Sequence, residues 1–301
     1  MSHRLMLGLA MVTASACALE TAAPHVDLLD EVEALAAQVA ALEAAVHCPR
    51  LVATAAGVDE LRAYELVPGV PYILCRHAAT GDEMVKVGDF WSDRYEMSAC
   101  PGGSLGNHNG HDTTAAGCSR AGVMPQVEIT WFQAAAMCAN AGKALCTNAQ
   151  WQVAASGTSD PGASDGGDGG CVTDGAPRAT GGGATCRSRY GAEDMIGNYW
   201  EWVADWRVAG RSFQTSDGQA APPRAGDSAG PWGADYGDDQ TFNVNGTASE
   251  SPAWRQGLPA AIARGGDRGS ALGSGAFALS ATPAPSEASL GVATRCCARG
   301  R

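Results

Sequence analysis

Cysteine is the residue type whose chemistry most restricts this chain, because eleven cysteines occur among its 301 residues. In a reducing cytosol so many thiols would be a liability unless they bound metal, and the paired Cys-x-x-Cys spacing of zinc sites is absent. In an oxidising compartment the same residues can pair as disulfides. The cysteine content therefore predicts an exported protein braced by disulfides.

The segment from residue 194 to residue 201 (DMIGNYWE) is a second candidate for chemistry, because it carries a carboxylate at each end. Calcium binds about six to eight oxygens from carboxylates and backbone carbonyls, and such a turn supplies them without any cysteine. Asp194 and Glu201 therefore favour a calcium site. The alternative is that the two carboxylates only cap turns, while Trp200, Trp202 and Trp206 anchor the core.

Two other polar clusters are weaker candidates for metal binding. His108, His111 and Asp112 bring two imidazoles and a carboxylate close together in sequence, but the neighbouring glycines and the lack of a third well-placed histidine favour a solvated loop. The acidic, glycine-rich run at residues 165–170 can hold a second ion, although loops of this composition are usually solvated.

The overall charge argues against nucleic acid as the main partner. The chain has 32 acidic and 20 basic side chains, for a net charge of −12, whereas phosphate binding depends on clustered Lys and Arg. Apolar residues make up 45% of the sequence, which is enough for the core of one large domain or two small ones. Abundant glycine with few aromatic residues predicts a domain rich in loops.

Residues 1–16 have the pattern of a bacterial signal peptide. A basic start precedes a short apolar run at residues 5–12, which is too short to span a bilayer, and then the small residues Ala14-Ser15-Ala16. The following Cys17 resembles the cysteine of a lipoprotein box, which predicts lipidation at the bacterial cell envelope. The alternative is ordinary cleavage and secretion, with Cys17 left as the odd thiol.

Residues 17–47 predict a helical stalk. Apolar residues recur at alternating spacings of four and three, with Val at one seam position and Leu at the other, as in a dimeric coiled coil. A coiled coil would make the chain a homo-oligomer. The pattern is short, so a single alanine-rich spacer helix is an equal alternative. The seam consists of Leu28, Val32, Leu35, Val39, Leu42 and Val46.

Residues 48–81 predict a small connector, because strand-like runs alternate there with Pro and Gly. Cys48 and Cys75 both lie in this connector and can pair with each other. The head begins near Asp82 and extends over residues 82–301.

Within the head, residues 129–142 predict an amphipathic helix and residues 148–155 a second helix. Residues 156–183 have almost no apolar side chains and predict a surface loop. A loop of this length inside a domain needs a cross-link to hold it in place, and Cys171 with Cys186 is the nearest available pair for a disulfide.

Six motifs of the head occur in a fixed order along the chain: EMVKVGDFWSDRYE at residues 83–96, the segment 129–145 that opens with ITW and closes with GKAL, Trp151, DMIGNYWEWVADW at residues 194–206, Arg264-Gly265-Gly266, and residues 291–296. Together these motifs resemble the formylglycine-generating enzyme, or sulfatase-modifying factor, family. The resemblance implies an α+β domain of the C-type-lectin-like kind, with little regular secondary structure and long loops.

Activity in this family depends on two cysteines that follow the Gly-Gly pair and bind copper(I), a metal that prefers sulfur ligands. By resemblance these positions are Ser270 and Gly275, and neither carries a thiol. No cysteine occurs between Cys186 and Cys296, so a shift of a few residues does not restore the pair. The resemblance therefore predicts that the chain binds no copper and lacks formylglycine-generating oxidase activity.

The resemblance also assigns calcium ligands within the acidic segment. They are the side chains of Asp194 and Glu201 and the backbone carbonyls of Gly197 and Tyr199.

By resemblance, Cys138 pairs with the cysteine of the final Gly-x-Arg-Cys element, which is Cys296 or its neighbour Cys297. The second disulfide of the family lacks both partners here, whereas Cys146 and Cys297 are additional and can form a replacement. The remaining local pair consists of Cys100 and Cys118.

Two classes of function follow from these patterns. The first is a non-catalytic, envelope-anchored or secreted module that binds a protein or a glycan or scaffolds an assembly, with calcium and disulfides as braces. The second is an oxidoreductase or related metal-dependent tailoring enzyme that uses residues other than the family's cysteines. The missing thiols favour the first class, although a fold by itself does not determine a function.

Overall fold

In the computed structural model, the described residues are 47–55, 58–107, 109, 110, 112, 114–161, 169–208, 213, 214, 220, 221, 259–281, 283, 285 and 287–300. The expected signal peptide, Cys17, the heptad stalk and most of the acidic run at residues 165–170 lie outside these residues. No helix in the described part of the chain is long and apolar enough to cross a membrane.

Residues 48–301 form one compact unit of short elements. Its described part contains two helices, α1 (Trp131–Asn140) and α2 (Asn148–Ala154), and one 3-10 turn (Ala271–Gly273). The strands are β1 (Arg50–Ala55), β2 (Val58–Leu66), β3 (Leu74–His77), β4 (Glu83–Val87), β5 (Phe90–Asp93), β6 (Met97–Ala99), β7 (Gly117–Ser119), β8 (Ala144–Leu145), β9 (Trp200–Val208), β10 (Phe213–Gln214), β11 (Ala220–Ala221), β12 (Pro259–Arg264), β13 (Leu279–Ser280), β14 (Val292–Thr294) and β15 (Cys296–Arg299).

Two sheets carry the core. The larger sheet has the order β1-β2-β3-β4-β5-β15-β8, and all its neighbouring strands are antiparallel. The smaller sheet has the order β13-β12-β9-β14, in which only β14 and β9 run parallel. The expected fold class, an α+β domain with little regular secondary structure, is confirmed.

The expected connector at residues 48–81 is not a separate segment. It contributes three strands to the larger sheet, because β2 pairs with β3 and β3 pairs with β4 of the head. The compact unit therefore begins at Cys48 and not at Asp82.

Both expected helices are present, and their first residues are set by capping side chains. Thr130 caps α1 and Thr147 caps α2, and each threonine forms a capping box with the glutamine three residues later. The caps place the first turn of α1 at Trp131, two residues after the apolar pattern begins. The helices bury Met137 and Cys138 of α1 and Trp151 of α2.

Five disulfides brace this unit, and they decide between the two partners that the resemblance left open for Cys138. The two that close the longest loops start from adjacent residues, because Cys296 bonds to Cys138 and Cys297 bonds to Cys146. Loops of 158 and 151 residues are closed in this way. Either bond alone would contribute about 5 kcal/mol on the chain-entropy model, and the second bond to form adds less because it then closes only a short ring. The other three pairs are Cys48–Cys75, Cys100–Cys118 and Cys171–Cys186.

The loop at residues 156–183 is only partly at the surface, which corrects the expectation from its composition. Its described residues Cys171, Val172 and Thr173 are buried. The reason lies in the backbone, since the Val172 carbonyl accepts a hydrogen bond from the backbone N–H of Asn198 at 2.7 Å. The backbone of the loop is thus hydrogen-bonded to the protein interior at Val172, although this part of the loop has no large apolar side chain.

A buried lysine ties several strands of the larger sheet together. Lys143 Nζ lies 2.7 Å from Asp82 Oδ2 and 2.6 Å from Asp93 Oδ1, and all three side chains are inaccessible to solvent. Tyr64 of β2 donates to Asp82 at 2.5 Å, and the backbone N–H of Cys296 donates to Asp93 at 2.8 Å. The network therefore connects β2, β5 and β15 through one ammonium group.

Burial and partner charges act in opposite directions on this network. Burial alone would lower the pKa of Lys143, but the carboxylates of Asp82 and Asp93 raise it above its ordinary value. Burial raises the pKa of Asp93 to about 6, although the lysine opposes that change. The ammonium group thus remains charged, and it is the partner that allows these carboxylates to be buried.

Replacement of Lys143 by methionine should be strongly destabilising. The substitution keeps much of the side-chain volume but leaves Asp82 and Asp93 buried without their ammonium partner. We expect the free energy of unfolding in urea to fall by about 3–5 kcal/mol. The matched control is Lys86→Met, which removes the chain's other lysine, a partly exposed side chain over the Trp91 ring. An equal loss in both variants would contradict the role of the network.

Candidate functional site

The Arg264-Gly265-Gly266 motif lies at the end of β12 and fixes the loop that follows. The Arg264 guanidinium lies 4.6 Å from the Trp151 ring centroid. It donates to the carbonyls of Ala276 and Ala278, each at 2.9 Å. It also donates to the side chains of Asn148 and Gln152 in α2. One buried arginine therefore holds both ends of the loop.

The two glycines of the motif are required by close contacts. Gly265 and Gly266 have φ angles of +93° and +83°. A Cβ atom at Gly265 would lie 2.8 Å from the Met195 carbonyl oxygen, and one at Gly266 would lie 2.4 Å from Ser274 Oγ. Only glycine fits these positions without displacing the backbone.

Ser270 is used to close a turn. Its hydroxyl donates to Asp267 Oδ1 at 2.6 Å and accepts from the Asp267 backbone N–H at 3.2 Å. The next residue, Ala271, has a φ of +46°, a left-handed conformation that is uncommon for a residue with a side chain. Its N–H donates to the Thr173 carbonyl at 2.9 Å. The serine and its neighbours thus define the loop's shape.

Gly275 lies at the other end of this loop with no side chain to bind a metal. Its N–H donates to the Gly265 carbonyl at 3.0 Å. A Cβ atom there would lie 2.9 Å from Asp160 Oδ2. Every cysteine in the described residues is in a disulfide. These residues do not fit copper(I), which needs thiolate ligands.

The same loop displays two apolar side chains to solvent. Leu272 is 77% exposed and Phe277 is 69% exposed. Hydrogen bonds hold the backbone between them, including those from the Gly273 N–H to the Ser270 carbonyl and from Ser274 Oγ to the Asp267 carbonyl. A backbone fixed in this way can bind a partner through apolar side chains at a low cost in conformational entropy.

The two carboxylates of the acidic segment are both bound by arginines. Asp194 Oδ1 accepts from Arg178 Nη2 at 2.9 Å, and its Oδ2 accepts from the Gly181 N–H at 3.1 Å. Glu201 Oε1 accepts from Arg295 Nη2 at 2.7 Å. Glu201 Oε2 accepts from Arg295 Nε at 2.9 Å and from the Trp151 indole at 2.6 Å.

Gly197 and Tyr199 have packing roles in this segment. Gly197 has a φ of +73°, and a Cβ atom there would lie 2.1 Å from the Val172 carbonyl oxygen. Tyr199 is buried, and its ring faces the Arg268 guanidinium at 5.3 Å.

Two of the four expected calcium ligands, the carboxylates of Asp194 and Glu201, thus accept from guanidinium, indole and backbone N–H donors. Calcium at this segment stays a prediction from the sequence. Among the described residues, no group of three or more His, Cys, Asp and Glu side chains is placed to hold a metal ion.

Glu96 lies beside this segment and is completely buried. Its Oε2 accepts from Asn198 Nδ2 at 2.7 Å, and its Oε1 has no hydrogen-bond partner. Burial raises the pKa of Glu96 well above its ordinary value, and the negative charges of Glu201 and Asp194 raise it further. A protonated carboxyl is the form that this environment favours.

Sequence reasoning missed four residues that shape this site. Glu96 lay inside a motif, but nothing in its spacing assigned it a role. Arg295 also belonged to a motif, and its partner Glu201 is 94 positions away. A single sequence contains no signal for such pairs, because the sheets bring them together. The missed residues are Glu96, Arg178, Asn198 and Arg295.

A family model described as a sulfatase-modifying factor enzyme 1-like domain (FGE-sulfatase) matches residues 83–292, which is more than half of the chain. The match covers the loop after β12, the acidic segment and both helices. No curated protein matches the chain.

Several solved structures share a similar course of the chain. The M1, P3c and I1 variants of Major Tropism Determinant are each 16% identical, with TM-scores of 0.42, 0.40 and 0.41. Each alignment covers 83% of this chain, and the chain spans about three fifths of those proteins, namely 60%, 61% and 61%. A likeness at this level carries no argument about function.

Replacement of Glu96 by glutamine should flatten the pH dependence of stability. An acid whose pKa is higher in the folded state binds more protons when folded. Titration of Glu96 therefore makes the free energy of unfolding fall as the pH rises from about 4.3 towards the raised pKa of this residue. Glutamine keeps an oxygen for Asn198 Nδ2 but does not titrate.

We therefore expect Glu96→Gln to be at least as stable as the parent chain at pH 8, as measured by urea unfolding across a pH series. Glu65→Gln, at an exposed carboxyl, is the control and should reproduce the parent's curve. A variant that is less stable than the parent at pH 8 would show that Glu96 is needed in its charged form.

Proposed function

Because the chain belongs to the sulfatase-modifying factor enzyme 1-like family, yet has Ser270 and Gly275 where the resemblance puts the catalytic cysteines, we propose that it is an exported, non-catalytic binding module. The single observation that carries this proposal is the loop after β12. Its hydroxyl and backbone groups are used to fix its shape, while Leu272 and Phe277 point into solvent.

The absence of thiols in this loop argues against the oxidation that the family performs. Copper(I) chemistry needs a pair of soft ligands, and a serine hydroxyl bound to Asp267 is a hard and weak ligand. The ten cysteines from Cys48 onwards are all in disulfides, so none is available from elsewhere in the described residues.

The ligand that best suits the loop is a protein segment with an apolar side chain flanked by Lys or Arg. Phe277 offers an aromatic face that suits either kind of ligand, whereas Leu272 is aliphatic and pairs best with another apolar side chain. Acidic side chains lie next to this surface, with Asp160 beside Gly275 and Asp267 within the loop. Basic flanking residues would complement them.

The disulfides support export of the chain. Five bridges in one compact unit are typical of proteins that fold in an oxidising compartment. Lipidation at Cys17 would then anchor the module at the bacterial envelope, and residues 17–47 would serve as its stalk and as the place where copies associate. These parts of the proposal rest on the sequence patterns alone.

The chain should not convert cysteine to formylglycine. We expect no formylglycine by mass spectrometry when the purified chain is incubated with copper(I), oxygen and a cysteine-containing substrate peptide of the family. An active family enzyme serves as the positive control. Formation of the aldehyde by the parent chain, and its loss on Ser270→Ala, would overturn the non-catalytic assignment.

The exposed loop should select peptides. We expect a phage-displayed peptide library panned on the purified chain to yield sequences that combine apolar and basic residues. Their binding should fall at least tenfold for the Leu272→Asp/Phe277→Asp double variant, because an apolar contact of about 1.4 kcal/mol or more is lost.

The matched control is Leu61→Asp, which changes an exposed leucine on β2. Unchanged peptide binding by the double variant would show that Leu272 and Phe277 do not form the binding surface. Binding to a glycan array in place of peptides would contradict a protein ligand.

A further inference from the structure

Arg62 of β2 is a buried cation that carboxylates hold only weakly. Its side chain is 3% exposed, and its Nε has no hydrogen-bond partner. Asp82 Oδ2 lies 3.7 Å from its Nη1, which is too far for a good hydrogen bond. The Asp82 carboxylate already accepts from Lys143 Nζ at 2.7 Å and from the Tyr64 hydroxyl at 2.5 Å. The charge of Arg62 is thus balanced nearby, but its N–H donors lack strong acceptors.

The two terminal nitrogens of Arg62 both contact one disulfide. Nη2 lies 3.7 Å from Cys100 Sγ, and Nη1 lies 3.9 Å from Cys118 Sγ. Cys118 is the middle residue of β7 and Cys100 directly follows β6, so the pairing of these two strands places both sulfurs at the guanidinium. The sulfur of a disulfide is neutral and a weak acceptor.

Reduction of this bridge would give Arg62 the acceptor that it lacks in the oxidised chain. A thiolate carries a full negative charge, and hydrogen bonds to an ionised group are about twice as strong as those between neutral groups. A neighbouring Arg or Lys therefore favours the thiolate form of a cysteine. A disulfide is easily reduced when its reduced form is stabilised in this way.

A reductant can reach one of the two sulfurs more readily than the other. Cys100 is half-buried, whereas Cys118 is inaccessible to solvent. The three residues that follow Cys100 are exposed, and two of them are glycines. Attack is therefore expected at Cys100, and the sulfur that leaves is that of Cys118, next to the guanidinium.

The bridge between Cys48 and Cys75 provides a comparison with similar exposure. It also joins a half-buried cysteine to an inaccessible one. Among the hydrogen bonds of the described residues, those from a guanidinium to sulfur involve Cys100 and Cys118 only. The two bridges therefore differ in the positive charge beside them more than in access. Both cysteines are buried in each of the remaining three bridges.

We propose that the Cys100–Cys118 bridge is a site of thiol–disulfide exchange, which a thiol reductant opens while the other four bridges stay closed. A thiolate of the reductant attacks Cys100 Sγ, the bond between the two cysteines breaks, and its electron pair leaves on Cys118 Sγ. A second thiolate attacks the reductant's sulfur in this mixed disulfide and releases Cys100. Two thiols of the reductant are thus oxidised to a disulfide, the bridge takes up their two electrons, and their two protons go to solvent or to the freed sulfurs.

The core remains in place when this bridge opens. Leu105, within the loop that the bridge closes, is buried in a cluster with Met97 and Met137. Strands β6 and β7 also stay paired through their own register. Reduction therefore acts locally, on the exposed residues 101–104 that follow Cys100.

The test measures the reduction of each bridge in the purified full chain under native conditions. The chain is equilibrated in glutathione buffers, free thiols are trapped by alkylation, and peptide mass spectrometry gives the reduced fraction of each pair. The scale is the squared concentration of reduced glutathione divided by that of its disulfide. We expect half-reduction of Cys100–Cys118 at a value at least about tenfold lower than that of Cys48–Cys75. Circular dichroism of the same samples should show a folded chain.

Variants of Arg62 test the cause of this difference. Arg62→Met keeps the apolar stem without the charge, and it should raise the value for Cys100–Cys118 by about tenfold or more. Arg62→Lys keeps a positive charge and should lie closer to the parent chain. Arg299→Met, at an exposed arginine of β15, is the matched control and should leave both bridges unchanged.

Two results would overturn the proposal. The first is reduction of Cys48–Cys75 before, or together with, Cys100–Cys118 in the parent chain, a comparison that needs no variant. The second is an unchanged value for Cys100–Cys118 in folded Arg62→Met, which would show that the guanidinium does not favour the reduced form.

Discussion

Asp93 connects the two buried charge networks on which the rest of the fold depends. Its carboxylate binds Lys143 and the backbone N–H of Cys296, while its carbonyl accepts from Arg295. Each buried charge needs a partner, because an unpaired ion in the interior costs several kcal/mol. The Asp93 carboxylate therefore holds strand β15 at Cys296, and the Asp93 carbonyl holds Arg295, which pairs with Glu201. The larger sheet and the acidic segment are thus joined through one residue.

This arrangement explains how a chain with so little regular structure keeps its loops in place. Short strands and two helices supply few repeating hydrogen bonds, so long segments must be fixed by side chains. Arg264 holds the ends of the loop after β12, Arg178 holds residues 178–183 against Asn198 and Asp194, and disulfides close the longest segments. A loop fixed by such contacts can present Leu272 and Phe277 in one conformation.

Membership of the family and loss of its thiols are compatible in physical terms. The Arg-Gly-Gly motif shapes the backbone through Arg264 and through the close contacts of Gly265 and Gly266, and none of these roles involves a cysteine side chain. The fold can therefore form with Ser270 and Gly275, and with no thiol, in this loop. In the function proposed above, the loop displays a surface in place of a metal site.

The sequence by itself determined the features that depend on near neighbours in the chain. Thr130 and Thr147 cap helices through residues three positions away, the ordered motifs of the head indicated the family, and cysteines close in sequence indicated the local disulfides. Tertiary structure alone decided which charges meet. Glu201 meets Arg295 across 94 positions, and Lys143 meets Asp82 across 61, because paired strands set those distances. For the same reason, only the folded chain shows that Arg178 and Arg295 donate to the carboxylates of Asp194 and Glu201.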